Sequence, residues 1–475
     1  MINKSIWLDE NFNKLKSVNS NLETDVLVIG GGITGLSALY QLNKNKFKVL
    51  LVEKNICGMG VTSKSTAKIT YLQEKIYMNI RKLESEAVAR KYLNSQVDAI
   101  KLLVDIIKKE NIKCGLKKVD SILFTRNNFD KLKDEYKFLK HSKVSVKLDD
   151  IKELNDILGI RAFDTYVFNP FKYINGLKKL LGDYIYEESK VERIEKKDGF
   201  YLCYVNGFCI KTKYVIIATH YPYFIYPFLL PMKSHIEVSY LGAVKVKKDF
   251  PISAINIDEK CISLRYYSNK KSNYLIYLYG SYVGSSVKNI EDNFNDLIKN
   301  YPFEYVWSNK DIITSDYRPF IGRVYKEDDT FLIACGYNTW GMTNATIAGV
   351  ILNDIVIKKH NKYIKLFDPN RCFNLNKIAN FPINLFNSAK AYLSSGKTNQ
   401  NNKSIMYDKI NGKDVAIYVD EYEKRHVVLN KCPHMKCGLL FNSVEKTWDC
   451  MCHGSRFDID GNCIEGPSNY DIKYK

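Results

Sequence analysis

The sequence predicts an α/β body carrying an added antiparallel sheet, followed by a separate all-β unit at the C-terminal end. Three observations predict it. A strand, a glycine-rich turn and a helix follow one another from Asp25. Short β-rich runs with polar breaks fill 234–286. Five of the twelve cysteines crowd into the last 44 residues, after a polar linker. At 475 residues the chain can hold two or three cores.

DVLVIG (25–30) is a Val/Ile run of the kind buried on both faces of a parallel sheet. The turn GGGITG overlaps its end, and LSALYQLNKN continues with helical spacing at Leu36, Leu39 and Leu42. FKVLLVEK then supplies a second strand ending near Glu53, completing a βαβ start. Residues 80–110 alternate charged and apolar positions as one long amphipathic helix. YVIIA (214–218) reads as another buried strand, HIEVSYLGAVKV and YLIYLYGSYVG as an antiparallel layer, and FLIACGYN as a strand before the helix GMTNATIAGVILNDIVIKK. SSGKTNQNNKS is a polar linker, and short strands with turns at NGK and DGN follow it. There is no internal repeat.

Gly30, Gly32 and Gly35 form G-x-G-x-x-G between a strand and a helix. The first glycine allows the tight turn, the second lets backbone approach a pyrophosphate, and the third lets the helix pack on the strand. The helix N-terminus offers N–H groups and a positive dipole end to phosphates. Glu53 stands where a carboxylate can accept both ribose hydroxyls. These residues predict a dinucleotide site, and by themselves do not distinguish FAD from NAD.

The formal net charge of +19 comes from lysines spread over nearly every segment, not gathered on one basic helix. We read them as a solvated surface able to steer an acidic electron-transfer partner, and expect no nucleic-acid site. The long apolar stretch 214–232 contains His220, Pro222, Pro227 and Pro231, so no membrane span is expected there. No secretory signal is visible at 1–10, and the expected compartment is the cytoplasm. In such a chain the cysteine cluster reads as a metal site.

That cluster contains Cys432-Pro-His434, then fifteen residues, then Cys450-Met-Cys452-His453-Gly-Ser455. Two loops each offering one thiolate and one imidazole suit a 2Fe–2S centre, with thiolates on one iron and imidazoles on the other. A zinc site uses the same ligand types, but C-x-H spacing would strain chelation of a single ion.

Over about 22–360 the chain resembles the glycine/D-amino-acid oxidase family of FAD-dependent oxidoreductases. The likeness is carried by VIGGGITGLSALYQL with Glu53, by IIATHYP, and by SDYRPFIGR followed by FLIACGYNTWGMTNATIAG. The resemblance implies FAD as the cofactor, with Thr219 of IIATHYP beside it and Gly336, Tyr337, Gly341, Met342 and Thr343 near the flavin ring. GVTSKSTAKIT (60–70), with Thr66, resembles the loop along the ribityl chain. No covalent flavin attachment motif is evident. Over about 404–470, C-x-H…C-x-x-H and the trailing GSRFDIDGNCIEGP resemble Rieske proteins. That likeness implies Cys432, His434, Cys450 and His453 as ligands of a Rieske-type 2Fe–2S cluster and a disulfide between Cys437 and Cys452. Ser455 matches a serine that hydrogen-bonds many Rieske clusters, Phe457 stands where they have a tyrosine, and Lys436 replaces a common loop glycine. His426 lies outside the motif and reads as a surface histidine.

The expected architecture is therefore an FAD-binding Rossmann-like domain with an antiparallel-sheet substrate domain, plus a C-terminal all-β Rieske domain. The oxidoreductase body spans 1–380, with FAD-binding parts at 22–110, 170–225 and 310–360 and the substrate-domain sheet at 230–305. The linker is 381–403 and the Rieske domain 404–475. The resemblance implies oxidation of a small-molecule amine or amino acid by hydride transfer to flavin, with export of electrons through the cluster. Flow in the reverse direction, or a redox sensor without turnover, are the alternatives. A filled flavin face would favour the sensor; a formed cavity with a fixed cation would favour the enzyme. Arg265 in ISLRYYSN is the candidate anchor for a substrate carboxylate, and Trp340 a candidate pocket wall.

Overall fold

The computed structural model describes residues 2–222, 230–247, 251–259, 261–269, 272–283, 287–372, 404–450, 452, 454–468 and 470–474. The expected linker and the expected ligand His453 lie outside them.

The apolar runs at 25–30 and 47–54 form neighbouring parallel strands, Leu22–Ile29 and Val49–Val52, buried on both faces toward their C-terminal ends. Phe208–Ile217 pairs in parallel on the other side of the first strand, and Phe331–Cys335 pairs with it in turn. With Val191–Lys197, Phe200–Val205, Ile185–Tyr186 and Phe320–Arg323 they make an eight-stranded sheet. The glycine turn is compulsory here. Gly30 adopts φ +110°, and a Cβ on Gly35 would stand 1.9 Å from the Gly30 carbonyl oxygen. Only this pair of residues lets the helix Ile33–Leu42 leave the strand so closely.

The single helix expected over 80–110 is two helices, Ile76–Leu83 and Glu86–Lys109. Ser85 explains the break. Its backbone is extended and its hydroxyl accepts from the Val88 N–H, so it caps the second helix instead of continuing the first.

A second eight-stranded sheet runs in the order Phe303–Thr314, Ser234–Val246, Asn273–Val283, Ile262–Ser268, Ser253–Asn256, Ser121–Phe124, Ile157–Ala162 and Val146–Ile151. Its last three strands come from 111–169, a stretch that pattern alone leaves unassigned. Period-two alternation on the long strands sends odd-numbered side chains such as Glu237, Ser239, Leu241, Asn309, Asp311 and Ile313 toward one large cavity.

The C-terminal unit is all-β, with one sheet of Ile405–Ile410, Lys413–Val419 and Arg425–Leu429 and another of Leu439–Asn442, Thr447–Cys450, Arg456–Phe457 and Cys463–Glu465. Its core includes Trp448, Phe441, Phe457 and Val428. It is seated on the body. Val444 joins the apolar cluster of Val238, Tyr240, Phe294, Phe303 and Val306. Around that contact Arg456 donates to the Ser308 hydroxyl at 2.7 Å, Lys310 pairs with Asp449 at 3.2 Å, and Lys64 pairs with Glu465 at 2.6 Å. No described helix is long and apolar enough to cross a membrane.

Candidate functional site

The cavity, of about 620 Å³, begins at the glycine turn and reaches both the second sheet and the C-terminal unit. Gly30, Gly32, Glu53, Thr66 and Thr219 all line it. Glu53 is held by two backbone donors, Gly31 N–H at 2.6 Å and Asn55 N–H at 2.9 Å. Burial nonetheless raises its pKa. Gly35 lies behind the wall, where its role is helix packing. Farther along, the helix Gly341–Val356 points its N-terminus at the cavity, with Gly341, Met342, Thr343 and Tyr337 on the wall. Gly336 sits just behind them at φ +72°, turning the chain from strand to helix. The Thr34 hydroxyl donates to the Tyr337 hydroxyl at 3.1 Å and ties the two helix starts together. One continuous cavity thus joins a pyrophosphate cradle to a helix N-terminus, which is the space an extended dinucleotide needs.

The two candidate substrate residues fare differently. Trp340 lines the cavity, 8 % exposed, and its indole N–H has no hydrogen-bond partner among the described residues. Arg265 corrects the expectation. It is 1 % exposed and lies outside the cavity wall, donating to the carbonyls of Thr66, Ala67 and Phe168 at 2.5, 3.0 and 2.6 Å. Its guanidinium also stacks 4.7 Å from the Trp7 ring, and burial without a carboxylate partner lowers its pKa to about 9. Neither a surface arginine nor a carboxylate anchor, it is a clamp on the loop that lines the cavity.

What sequence reasoning missed is the chemistry contributed by the second sheet. Glu237 and Asp311 are direct cross-strand partners, Glu74 joins them on the wall, and the Asn309 amide donates to Asp311 at 2.8 Å. Burial, reinforced by Glu237, pushes Asp311 up to about 7. Burial pushes Glu74 to about 7 as well. The signal was present as Glu237 and Asp311, each set among apolar residues at alternate positions of a β-rich run.

At the C-terminal unit the two predicted loops come together. Cys432 and Cys450 are both buried with their thiols hydrogen-bonded, and that bond to Cys450 lowers the Cys432 pKa to about 7 despite burial. The Ser455 hydroxyl also bonds the Cys432 sulfur. Burial lowers His434 to about 4, so its imidazole is neutral, as a ligand must be. Cys437 and Cys452 are joined as a disulfide that ties loop to loop. Among the described residues the potential ligand atoms of Cys437, Cys450 and Cys452 lie within 4.8 Å of one another. Two of those sulfurs are consumed by the disulfide, so we take Cys432, His434 and Cys450 as the donor set, with His453 outside the described residues. Two thiolates and a neutral imidazole fit a mixed-ligand 2Fe–2S cluster. Lys436 turns its loop at φ +60°, a conformation that favours glycine. His426 is not a surface residue: it is 5 % exposed, stacked on Tyr418 and hydrogen-bonded to Asp420 and Asp460.

The cluster loops sit at the cavity. Gly454, Ile464, Glu465 and Gly466 share its wall with His220 and Tyr221. The His434 ring stands edge-on to Tyr221 with centroids 6.5 Å apart. Lys310 donates to the Gly454 carbonyl at 3.2 Å.

Comparison with known proteins agrees with both halves. Residues 25–355 match the model of the FAD dependent oxidoreductase family, and residues 393–474 match that of the Rieske [2Fe-2S] domain. Bacillus subtilis YhfW, whose name carries the term Rieske 2Fe-2S iron-sulfur protein, is 29 % identical over 96 % of this chain and 94 % of its own. The gamma-glutamylputrescine oxidoreductase of Escherichia coli is 22 % identical over 72 % of this chain and 85 % of its own. The solved structure of glycine oxidase from Geobacillus kaustophilus superposes with a TM-score of 0.58 at 15 % identity, covering 74 % of this chain and 100 % of that one, which shows the shared fold. The chain belongs to the FAD dependent oxidoreductase family and carries FAD together with a 2Fe–2S cluster in a C-terminal Rieske domain.

Proposed function

We propose that this enzyme oxidises an amine or amino-acid-like substrate in the cavity and sends the electrons through its own cluster to an external one-electron acceptor. FAD, when bound, supplies a hydride acceptor that can release two electrons singly, and the cluster carries one at a time. The observation that carries the reading is the shared wall. Tyr221 lines the cavity on one side and meets the His434 ring on the other. Electrons would then cross protein instead of solvent.

The chain's own residues supply the rest. The Arg265 clamp holds the Thr66–Ala67 backbone against the cavity, and Trp340 and Met342 give an apolar surface that excludes water. An open cavity supports an enzyme over a sensor with a filled flavin face. The fixed arginine expected with it is absent from the described wall, which bears on the substrate class. The net charge of +19 favours an acidic acceptor protein. The reading places the enzyme in the cytoplasm, in keeping with free thiols at Cys57, Cys114 and Cys203.

The test is anaerobic mixing of the holoprotein with candidate amines and amino acids, with flavin absorbance and cluster EPR followed together. Flavin bleaching followed by the low-average-g signal of a reduced mixed-ligand cluster is expected. A flavin that bleaches while the cluster stays oxidised would overturn the proposed route.

A further inference from the structure

The second sheet narrows the substrate class, a narrowing that rests on flavin-dependent oxidation taking place in the cavity. Glu237 and Asp311 face each other across Ser234–Val246 and Phe303–Thr314, and both line the cavity. Like charges directly opposite on a sheet face oppose each other. Glu74 adds a third carboxylate to the same wall and holds a left-handed backbone, φ +52°, to do so. The exposed Glu259 adds a fourth.

Beside them is an acceptor that lacks a donor. Asn309, on the same wall, is 5 % exposed and spends its amide N–H on Asp311, while its Oδ1, itself buried, has no hydrogen-bond partner among the described residues. Buried polar atoms are nearly always satisfied, so an orphan acceptor on a residue of the wall leaves room for a donor that a ligand brings as the side chain turns to meet it.

The cations of the wall are all engaged by groups of the protein. Lys68 donates to the Ala254 carbonyl and the Ser263 hydroxyl, both at 2.6 Å, and burial lowers its pKa to about 7. Lys75 donates to the Asp258 carbonyl and pairs with Glu74 at 3.7 Å, Lys310 is held by Asp449, Lys64 by Glu465, and Lys54 by the Ile464 carbonyl. No arginine is among the described residues of the wall. A substrate carboxylate would find few donors, whereas an ammonium would find acceptors at Asp311 and at Glu237, which also pairs with the His235 ring at 3.1 Å. A single metal ion fits less well. The oxygens of Glu74, Glu237 and Asp311 are not drawn together within the 4.8 Å that marks the cysteine cluster.

We propose that the cavity takes a diamine or polyamine and not an α-amino acid, with Glu237, Asp311 and the Asn309 carbonyl oxygen holding the ammonium that is not oxidised. At the other nitrogen the carbon gives up hydride as the ammonium gives up a proton, leaving an iminium. Water adds to it and ammonium leaves, so R–CH2–NH3+ and H2O become R–CHO, NH4+, two protons and two electrons. Those electrons pass singly to the one-electron acceptor.

The experiment uses the holoprotein, with its FAD and iron content measured first. 1,4-Diaminobutane, glycine and proline are each added anaerobically while flavin absorbance is recorded. The diamine should bleach the flavin and the two amino acids should not. Asp311→Asn and, separately, Glu237→Gln should raise the half-saturating diamine concentration by about tenfold or more, the loss of a desolvated charged hydrogen bond. Dithionite should bleach both variants normally, showing an intact flavin site. Bleaching by glycine or proline but not by the diamine overturns the proposal, as does an unchanged half-saturating concentration in both variants. No bleaching by any of the three, with normal dithionite reduction, overturns it too. A preparation without flavin absorbance overturns the flavin reading beneath it, and the missing cofactor distinguishes that failure from the others.

Discussion

At the glycine turn the groups that would meet a nucleotide are mostly backbone, shaped by Gly30 and Gly35 and closed by a carboxylate, Glu53, that two N–H groups hold in place. At the cluster loops they are side chains, Cys432, His434 and Cys450, whose loops are bound together by Cys437–Cys452, the second loop being held also by the body's Lys310. A backbone site needs certain residues to be small. A ligand site needs certain residues to be present. The first is assembled within one strand–turn–helix, whereas the second depends on two hairpins and on the domain beneath them.

The most severe way to test that contrast is to delete each site in turn. Gly32→Val places a branched side chain on the cavity wall and should abolish FAD binding while the cluster still assembles. Cys432→Ser should abolish the cluster while FAD stays. Cofactor absorbance and iron content check both, and loss of both cofactors from either variant would show that the domains do not assemble independently.

Next in size is the seat between the domains. Lys310→Ala strips a buried partner from Asp449, both under a tenth exposed, at an expected cost of about 3 kcal/mol. Burial opposes ionisation of Asp449, but Arg456 and Lys310 hold it well below its ordinary 3.8. A depressed carboxylate contributes fully above its unfolded value and is lost only as pH falls through the lower folded one, so the contribution of Asp449 should be indifferent to pH near neutrality. Thermal unfolding and limited proteolysis of wild type and variant would read this. An unchanged proteolysis pattern in the variant would return Lys310 to a merely local role.

A smaller effect separates a clamp from an anchor. Arg265→Ala loses three bonds to carbonyls and should cost about 2 kcal/mol of stability and loosen FAD. Preference between amines and amino acids should stay unchanged, and a large KM increase confined to carboxylate substrates would restore the anchor reading.

Smallest is the tuning of the cluster. Hydrogen bonds to its sulfurs favour the reduced form, and Ser455 supplies one while Phe457, packed in the core with no exposure, supplies none. The potential should fall in the lower half of a range running from roughly −150 to +300 mV. Phe457→Tyr should raise it by tens of millivolts, if the hydroxyl contributes about 1 kcal/mol. Voltammetry of the holoprotein would measure both, and no upward shift in the variant would mean that the missing hydroxyl is not what sets this cluster.

Much of the site was legible because its determinants are local. G-x-G-x-x-G with a carboxylate one strand later, and C-x-H with C-x-x-H, name their chemistry through spacings shorter than any crossover. Ser85 was equally local and was overlooked, since helical periodicity carries across a cap that only its backbone reveals.

The sequence by itself determined the βαβ turn, the two ligand loops and the alternating strands, because each follows from steric and hydrogen-bonding rules within about thirty residues. Only the tertiary structure decided where charge is spent. Arg265 serves carbonyls 97 to 199 residues away, and Lys310 serves a loop 144 residues away. Glu237 meets Asp311 through strand register. The physical reason is that a buried charge answers to whatever polar groups folding places around it, and those come from distant parts of the chain.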